Sequence, residues 1–137
     1  MGMAVDVGVK SLESNHDLHR SSAEILGDLS SSYLLLFYAV ECGLKAALLR
    51  RTNGRSTAEL DPAMRSHSLR DLAKELRLDG QLVAKLTRCA RRDSGQVEPH
   101  ELHEAWRYGA VLIGDHEKNA VAAIRELSAW IDQELGR

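Results

Sequence analysis

Two histidines, two glutamates, an arginine, a tyrosine and a tryptophan crowd the eleven residues PHELHEAWRYG, Pro99–Gly109. These side chains can bind a metal, move protons or hold a phosphate. His100, His103 and Glu104 fall at i, i+3 and i+4, so one helix face would offer two or three ligands to zinc or manganese. The order matches neither H-E-x-x-H nor H-x-x-E-H. His67 or Cys89 would have to complete the set. The spacing therefore argues against zinc, and neither a metal nor another cofactor is expected. The same stretch also reads as a plain helix start. Glu98 and Glu101 suit the positive end of the dipole and Pro99 suits the first turn. Leu102 and Trp106 would then pack inward, and Arg107 would pair with Glu104.

Other charged groups have narrower readings. Glu41 and Lys45 stand at i, i+4 in the favourable order on a largely apolar stretch. They read as a structural pair, and a buried Glu41 would need a partner. His67 reads as a cap or packing group at the start of its helix. Arg88, Arg91 and Arg92 form a basic cluster, to which Arg50, Arg51 and Arg55 would add if their helix ends met. Such local charge either contacts phosphates or solvates a helix end. His16, Asp17 and His19 read as an exposed polar face.

Stepping outward, the elements that must position these groups read as helices. The chain has 137 residues and 44% hydrophobic content, enough for one domain with one core. A net charge of −2 argues neither for nor against nucleic acid. Cys42 and Cys89 stand singly, which fits a reducing, cytoplasmic setting. Met1–Val9 lacks the pattern of a signal peptide, and the apolar run Tyr33–Val40 is too short to span a bilayer, so no membrane is expected.

Apolar spacing predicts a first helix over Val9–Leu29, with Leu12, Ala23, Leu26 and Leu29 as its inward stripe and Leu18 and Ile25 beside it. A second, apolar nearly all round, runs Ser32–Arg51. Thr52–Pro62 is a linker. Ser68 and Asp71 have capping-box spacing ahead of a third helix with Leu69, Leu72, Ala73 and Leu76 inward. A fourth covers Gln81–Arg91, with Leu82, Val83, Leu86 and Cys89 inward, and a short fifth begins at Pro99. The last runs His116–Leu135, with Val121, Ile124, Leu127, Ile131 and Leu135 facing in. The fold class is all-α, an up-and-down bundle of five to six helices.

Three pieces then line up in order: Ala39, Glu41, Leu44 and Lys45 within YAVECGLKAALLR, His67 opening HSLRDLAKEL, and WRYG at Trp106–Gly109. Together they resemble the HEPN domain family, over Leu12 to Leu135. The resemblance implies a single HEPN-like helical domain across 1–137, with 1–8 as a flexible lead-in, and a homodimer. It implies either of two roles. One is a metal-independent ribonuclease of a toxin–antitoxin or antiphage defence system. The other is a non-catalytic module that holds RNA, a nucleotide or a partner such as a nucleotidyltransferase-type antitoxin. Nuclease members carry an Arg, four to six intervening residues, then a His, and two copies meet across the dimer. Here Arg92 and His100 have seven between them, and Arg107 and His116 have eight. On this resemblance the catalytic candidates are Arg92 and His100. His100 would serve as base or acid, and Arg92 or Arg107 would offset phosphorane charge. Arg88, Arg91, Arg107 and Tyr108 would contact RNA or a nucleotide.

Overall fold

The computed structural model describes residues 5–137. It is an all-α bundle whose six α-helices are α1 (Val9–Leu26), α2 (Ser30–Arg51), α3 (Leu69–Glu75), α4 (Gly80–Ala84), α5 (Leu102–Tyr108) and α6 (Gly114–Leu135). A minimal antiparallel hairpin joins β1 (Cys89–Ala90) to β2 (Gln96–Val97). Short 3-10 turns at Thr57–Glu59, Pro62–Arg65 and Pro99–Glu101 complete the chain.

α2 is the centre. Phe37, Ala39, Val40, Leu44, Ala46 and Leu49 along it are wholly buried, and α1, α6, α5 and α3 all pack on it. By length and composition alone this helix could cross a membrane, yet 72% of its apolar window lies buried inside the bundle. Arg51 fastens its last turn. The guanidinium donates to the Leu76 carbonyl at the end of α3 and to Glu134 of α6, and lies 5.6 Å from the Trp130 ring.

α3 begins as expected, with the Ser68 hydroxyl accepting from Asp71 N–H. Leu69, Leu72, Ala73 and Leu76 are buried, as are the five inward residues expected of α6. Two elements differ from their sequence reading. α1 stops at Leu26, where Gly27 takes φ +75 and donates to the Ala23 carbonyl. Of its expected stripe, Leu12 and Ala23 are buried while Leu18, Ile25, Leu26 and Leu29 are exposed. Glu13 and His16 take the inward places instead, because charged and polar partners await them there. The fourth helix is one turn long rather than reaching Arg91. Beyond Lys85 the chain extends into the hairpin, turned at Asp93–Gly95 with Gly95 at φ +88. That course still buries Leu86 and Cys89, since both helix and extended chain can place those two inward.

Residues 6–8, part of the expected flexible lead-in, are hydrogen-bonded. Val7 donates to the Thr57 hydroxyl and accepts from Thr57 N–H, and the Asp6 carboxylate accepts from Ala58 N–H. Residues 1–4 of that lead-in lie outside the described residues.

Gly43 lets α1, α2 and α6 meet. A Cβ there would stand 2.6 Å from Ile131 Cγ2 and 2.9 Å from His16 Nδ1. Alanine is the better helix former by about 1 kcal/mol, but such overpacking costs about 1–3 kcal/mol. Gly43→Ala is therefore expected to lower stability in urea melts, and Gly43→Val to lower it further. Gly114→Ala, where a Cβ meets open space, is the control and is expected to be neutral or stabilising. A Gly43→Ala protein as stable as the wild type would refute the close approach.

Candidate functional site

The strongest concentration of chemistry lies where α3 and α5 meet α2. His67, His100, His103, Asp71 and Glu104 line an open cleft of about 300 Å³, with Ser66 and Ser68 at its edge. α3's entry segment brings His67, and the turn and helix begun at Pro99 bring the other two histidines. Pro99 occupies the first position of that turn, and Glu98 and Glu101 close a capping box around it. The Trp106 indole N–H donates to Glu117 of α6 at 3.0 Å. Trp106 also stacks near Tyr33 and Phe37 of α2, and the Phe37 ring lies 5.1 Å from that of His103. These contacts fix α5, and with it His103.

Beneath the cleft lies a buried charge relay. Lys45, 1% exposed, donates to Glu41 Oε2 at 2.9 Å. Glu41 Oε1 stands 2.7 Å from His67 Nδ1. An ionised carboxylate can only accept, so Nδ1 carries the proton and Nε2 is the ring's uncommitted nitrogen. Burial alone would raise the Glu41 carboxyl. The His67 hydrogen bond and the Lys45 charge outweigh it and hold the carboxyl below its ordinary value. Against His67, at 4.5 Å between ring centroids, lies His103. Burial lowers the His103 pKa, the neighbouring His67 lowers it further, and Glu104 and Glu41 pull weakly the other way. Among the described residues, the buried Nδ1 of His103 has no hydrogen-bond partner, nor has the Tyr38 hydroxyl.

The residues expected to act together are distributed otherwise. His100 is exposed on the histidine cleft, whereas exposed Arg92 lines a separate hollow with Arg91, Asp93 and Val111. Within one chain the two do not share a cavity. The extra loop length between them is taken up by the hairpin, whose Arg92 N–H bonds the Val111 carbonyl. His116, the alternative partner for Arg107, accepts from Ala90 N–H through Nδ1 and so braces that hairpin. Arg91 pairs with Asp93, and Arg88 is exposed before β1. Arg50 and Arg55 line a different hollow beside Gly8, Arg50 paired with Glu13, so the basic cluster is not extended by them. Arg107 lies over the Tyr38 and Tyr108 rings, at 5.6 and 5.9 Å, rather than pairing with Glu104. Tyr108 is 77% exposed.

His67 does not cap α3. Ser68 does that, which frees the imidazole for Glu41. His16 is not on an exposed face. It is fully buried, with Nδ1 bonded to the Ala39 carbonyl and Nε2 to Asp132. Its ring, Asp17 and Asp132 place ligand-capable atoms within 4.8 Å of one another. Arg20 and Arg137 already neutralise those carboxylates, which marks the group as an interhelical ion network. Cys42 and Cys89 are free, and burial pushes both thiols up to about 11, which leaves them poor nucleophiles.

No family model, curated protein or solved structure matches the chain.

Replacing Glu41 tests the relay. Glu41→Gln leaves Lys45 buried without its counter-charge, a loss expected to cost about 3 kcal/mol at neutral pH. The folded carboxyl titrates below its ordinary 4.5, so its contribution is complete above that value and is lost as pH falls through the folded one. Urea melts at about pH 7 and about pH 3 are expected to show a wide gap between wild type and variant that narrows in acid. A gap of equal size at both would assign the loss to something other than the charge.

Proposed function

We propose that this chain is a HEPN-like, RNA-directed module that cleaves RNA without a metal, with the cleft between α3 and α5 as its working site. One observation carries the reading. A buried carboxylate fixes His67 through Nδ1 and leaves Nε2 of a partly exposed ring free, the orientation a general base requires.

The step needs no outside reactant. Nε2 of His67 takes the proton of a ribose 2′-OH as that oxygen forms a bond to the adjacent phosphorus. The bond from phosphorus to the 5′-oxygen breaks, and protonated His100 supplies the leaving oxygen's proton. The products are a 2′,3′-cyclic phosphate and a 5′-hydroxyl. Arg107 and exposed Tyr108 at the end of α5 suit phosphate and base contact. Arg88, Arg91 and Arg92 on and before the hairpin suit the flanking backbone. In this reading Arg92 contacts RNA, and His67 takes the catalytic place beside His100. The family resemblance extends the proposal to a cytoplasmic homodimer in a toxin–antitoxin or antiphage setting, with a nucleotidyltransferase-type antitoxin as partner.

The second reading is a binding module without catalysis. It is favoured by the separation of Arg92 from His100 and by the pairing of Arg91 with Asp93.

The test is incubation of the purified protein with structured RNA in EDTA, with gel-shift binding measured in parallel. Cleavage is expected to fall about 100-fold or more in His67→Ala and in His100→Ala. Arg92→Ala is expected to weaken binding with little change in the cleavage step. Binding without cleavage by the wild type would establish the module reading. Neither binding nor cleavage would overturn both.

A further inference from the structure

We propose that, whatever the substrate, the start of α5 is an acid-released latch: a second proton on the stacked pair His67 and His103 lifts it from α2 and carries His100 away from His67.

The two rings lie 4.5 Å apart, centroid to centroid, and only one of them is equipped for charge. His67 keeps Glu41 at 2.7 Å on Nδ1, so a protonated ring there is answered by a carboxylate. His103 is 5% exposed. Its Nε2 stands 4.0 Å from Glu104, too far for a hydrogen bond. Its Nδ1 is buried and has no partner among the described residues. A neutral ring tolerates this with its proton on Nε2 and an idle lone pair on Nδ1. An imidazolium carries N–H at both nitrogens. The one at Nδ1 would be a buried, charged donor without an acceptor, which only exposure to water relieves.

The groups around the ring offer no other relief. His67 faces it from the entry to α3, with Asp71 of α3 on the same cleft wall. Glu41 of α2 is already held by Lys45 and His67. The Tyr38 ring of α2 lies 6.3 Å away. His100 and exposed Glu104 belong to its own segment. Burial lowers the His103 pKa and His67 lowers it further, against weaker pulls from Glu104 and Glu41. Among the described residues three buried side-chain atoms lack a partner, and two of them, His103 Nδ1 and the Tyr38 hydroxyl, meet at this contact between α2 and α5. Such a contact opens at low cost.

Trp106 keeps the far end of α5 on the bundle, through Glu117 and the Tyr33 and Phe37 rings. Release therefore begins in the first turn, at His103, with His100 just ahead of it. α5 has only seven residues, too few to stay helical once unpacked. His67 remains on Glu41, whose carboxyl titrates below its ordinary 4.5. In the reaction proposed above, acid would thus part the general base from its proton donor.

The neutral His103 ring favours the closed form. That contribution is complete above the ordinary histidine value of 6.5 and is lost as pH falls through the lower folded value. With one proton taken up on opening, the opening constant rises about tenfold per pH unit across that window.

The experiment takes the wild-type chain from about pH 7.5 to about pH 5 without RNA. NMR follows the histidine rings, the Phe37–His103 ring contact and the exchange of backbone amides 101–106, corrected for the intrinsic pH dependence of exchange. Opening of those amides is expected to rise about tenfold per pH unit below the ordinary histidine value, and the ring contact to fade as His103 titrates. His103→Phe keeps an apolar ring that cannot titrate, and the rise is expected to vanish. His19, 6.4 Å from the Tyr38 ring and itself held low by burial, is the competing source. His19→Gln is expected to keep the rise. In the wild type alone, flat amide opening across the range, or a His103 ring that titrates with its Phe37 contact intact, would overturn the proposal. An undiminished rise in His103→Phe would do the same. Because no RNA is present, a wild type that fails to cleave leaves this result standing, and a latch that fails to open leaves cleavage to its own assay.

Discussion

The fold depends on a pair of opposite charges buried midway along its most apolar helix. Lys45 is almost wholly enclosed, and in such surroundings an unpaired ammonium is far costlier than any single apolar contact is favourable. Glu41, one turn earlier, answers it. The carboxylate then has a second oxygen to satisfy. The donor comes from another element, as His67. Burying the charge on α2 thus dictates where the entry to α3 must run. That in turn places a histidine at the surface with its orientation fixed from below.

On the other side of α2 the same logic works through a different residue. Gly43 removes the side chain that would separate the helices. The close approach brings fully buried His16 between the Ala39 carbonyl and Asp132. Glu13 of α1 is bracketed by Arg50 and Arg137, and Arg137 also holds Asp17. The three long helices are therefore joined by ion pairs where the α1 sequence offers few apolar groups on its inward face. Leu18, Ile25 and Leu29 are left outside because the inward positions are already matched to specific polar partners, which burial of leucine could not satisfy.

The helical class and most of the core were legible, because α3 and α6 bury the residues their periodicity marks and α2, apolar nearly all round, lies at the centre. The cap at Ser68 was legible for the same local reason. What escaped was non-local. His16 and Glu13 look like surface residues in a window of α1, since their partners lie more than twenty residues away. The one-turn α4 escaped because Leu86 and Cys89 fit an inward face in either conformation. For the cleft, composition pointed to Pro99–Gly109 and the Glu41–Lys45 spacing pointed to a buried pair. Nothing in the spacing said that the two belong together. Their connection runs through His67, whose place in sequence favoured a capping role that the adjacent serine performs.

That substitution of roles is what the proposed function of the cleft rests on. A carboxylate needed solely to neutralise Lys45 could have been satisfied by any donor on α3, including a backbone N–H. Histidine costs more, because its ring must be held partly desolvated and close to His103, so that the two cannot comfortably carry charge together. Its second nitrogen is not used by the fold. The proposed proton transfer requires this: a lone pair of fixed direction on a ring whose other nitrogen is already occupied. Taking a proton from RNA, as proposed, asks of His103 only that it stay neutral beside His67.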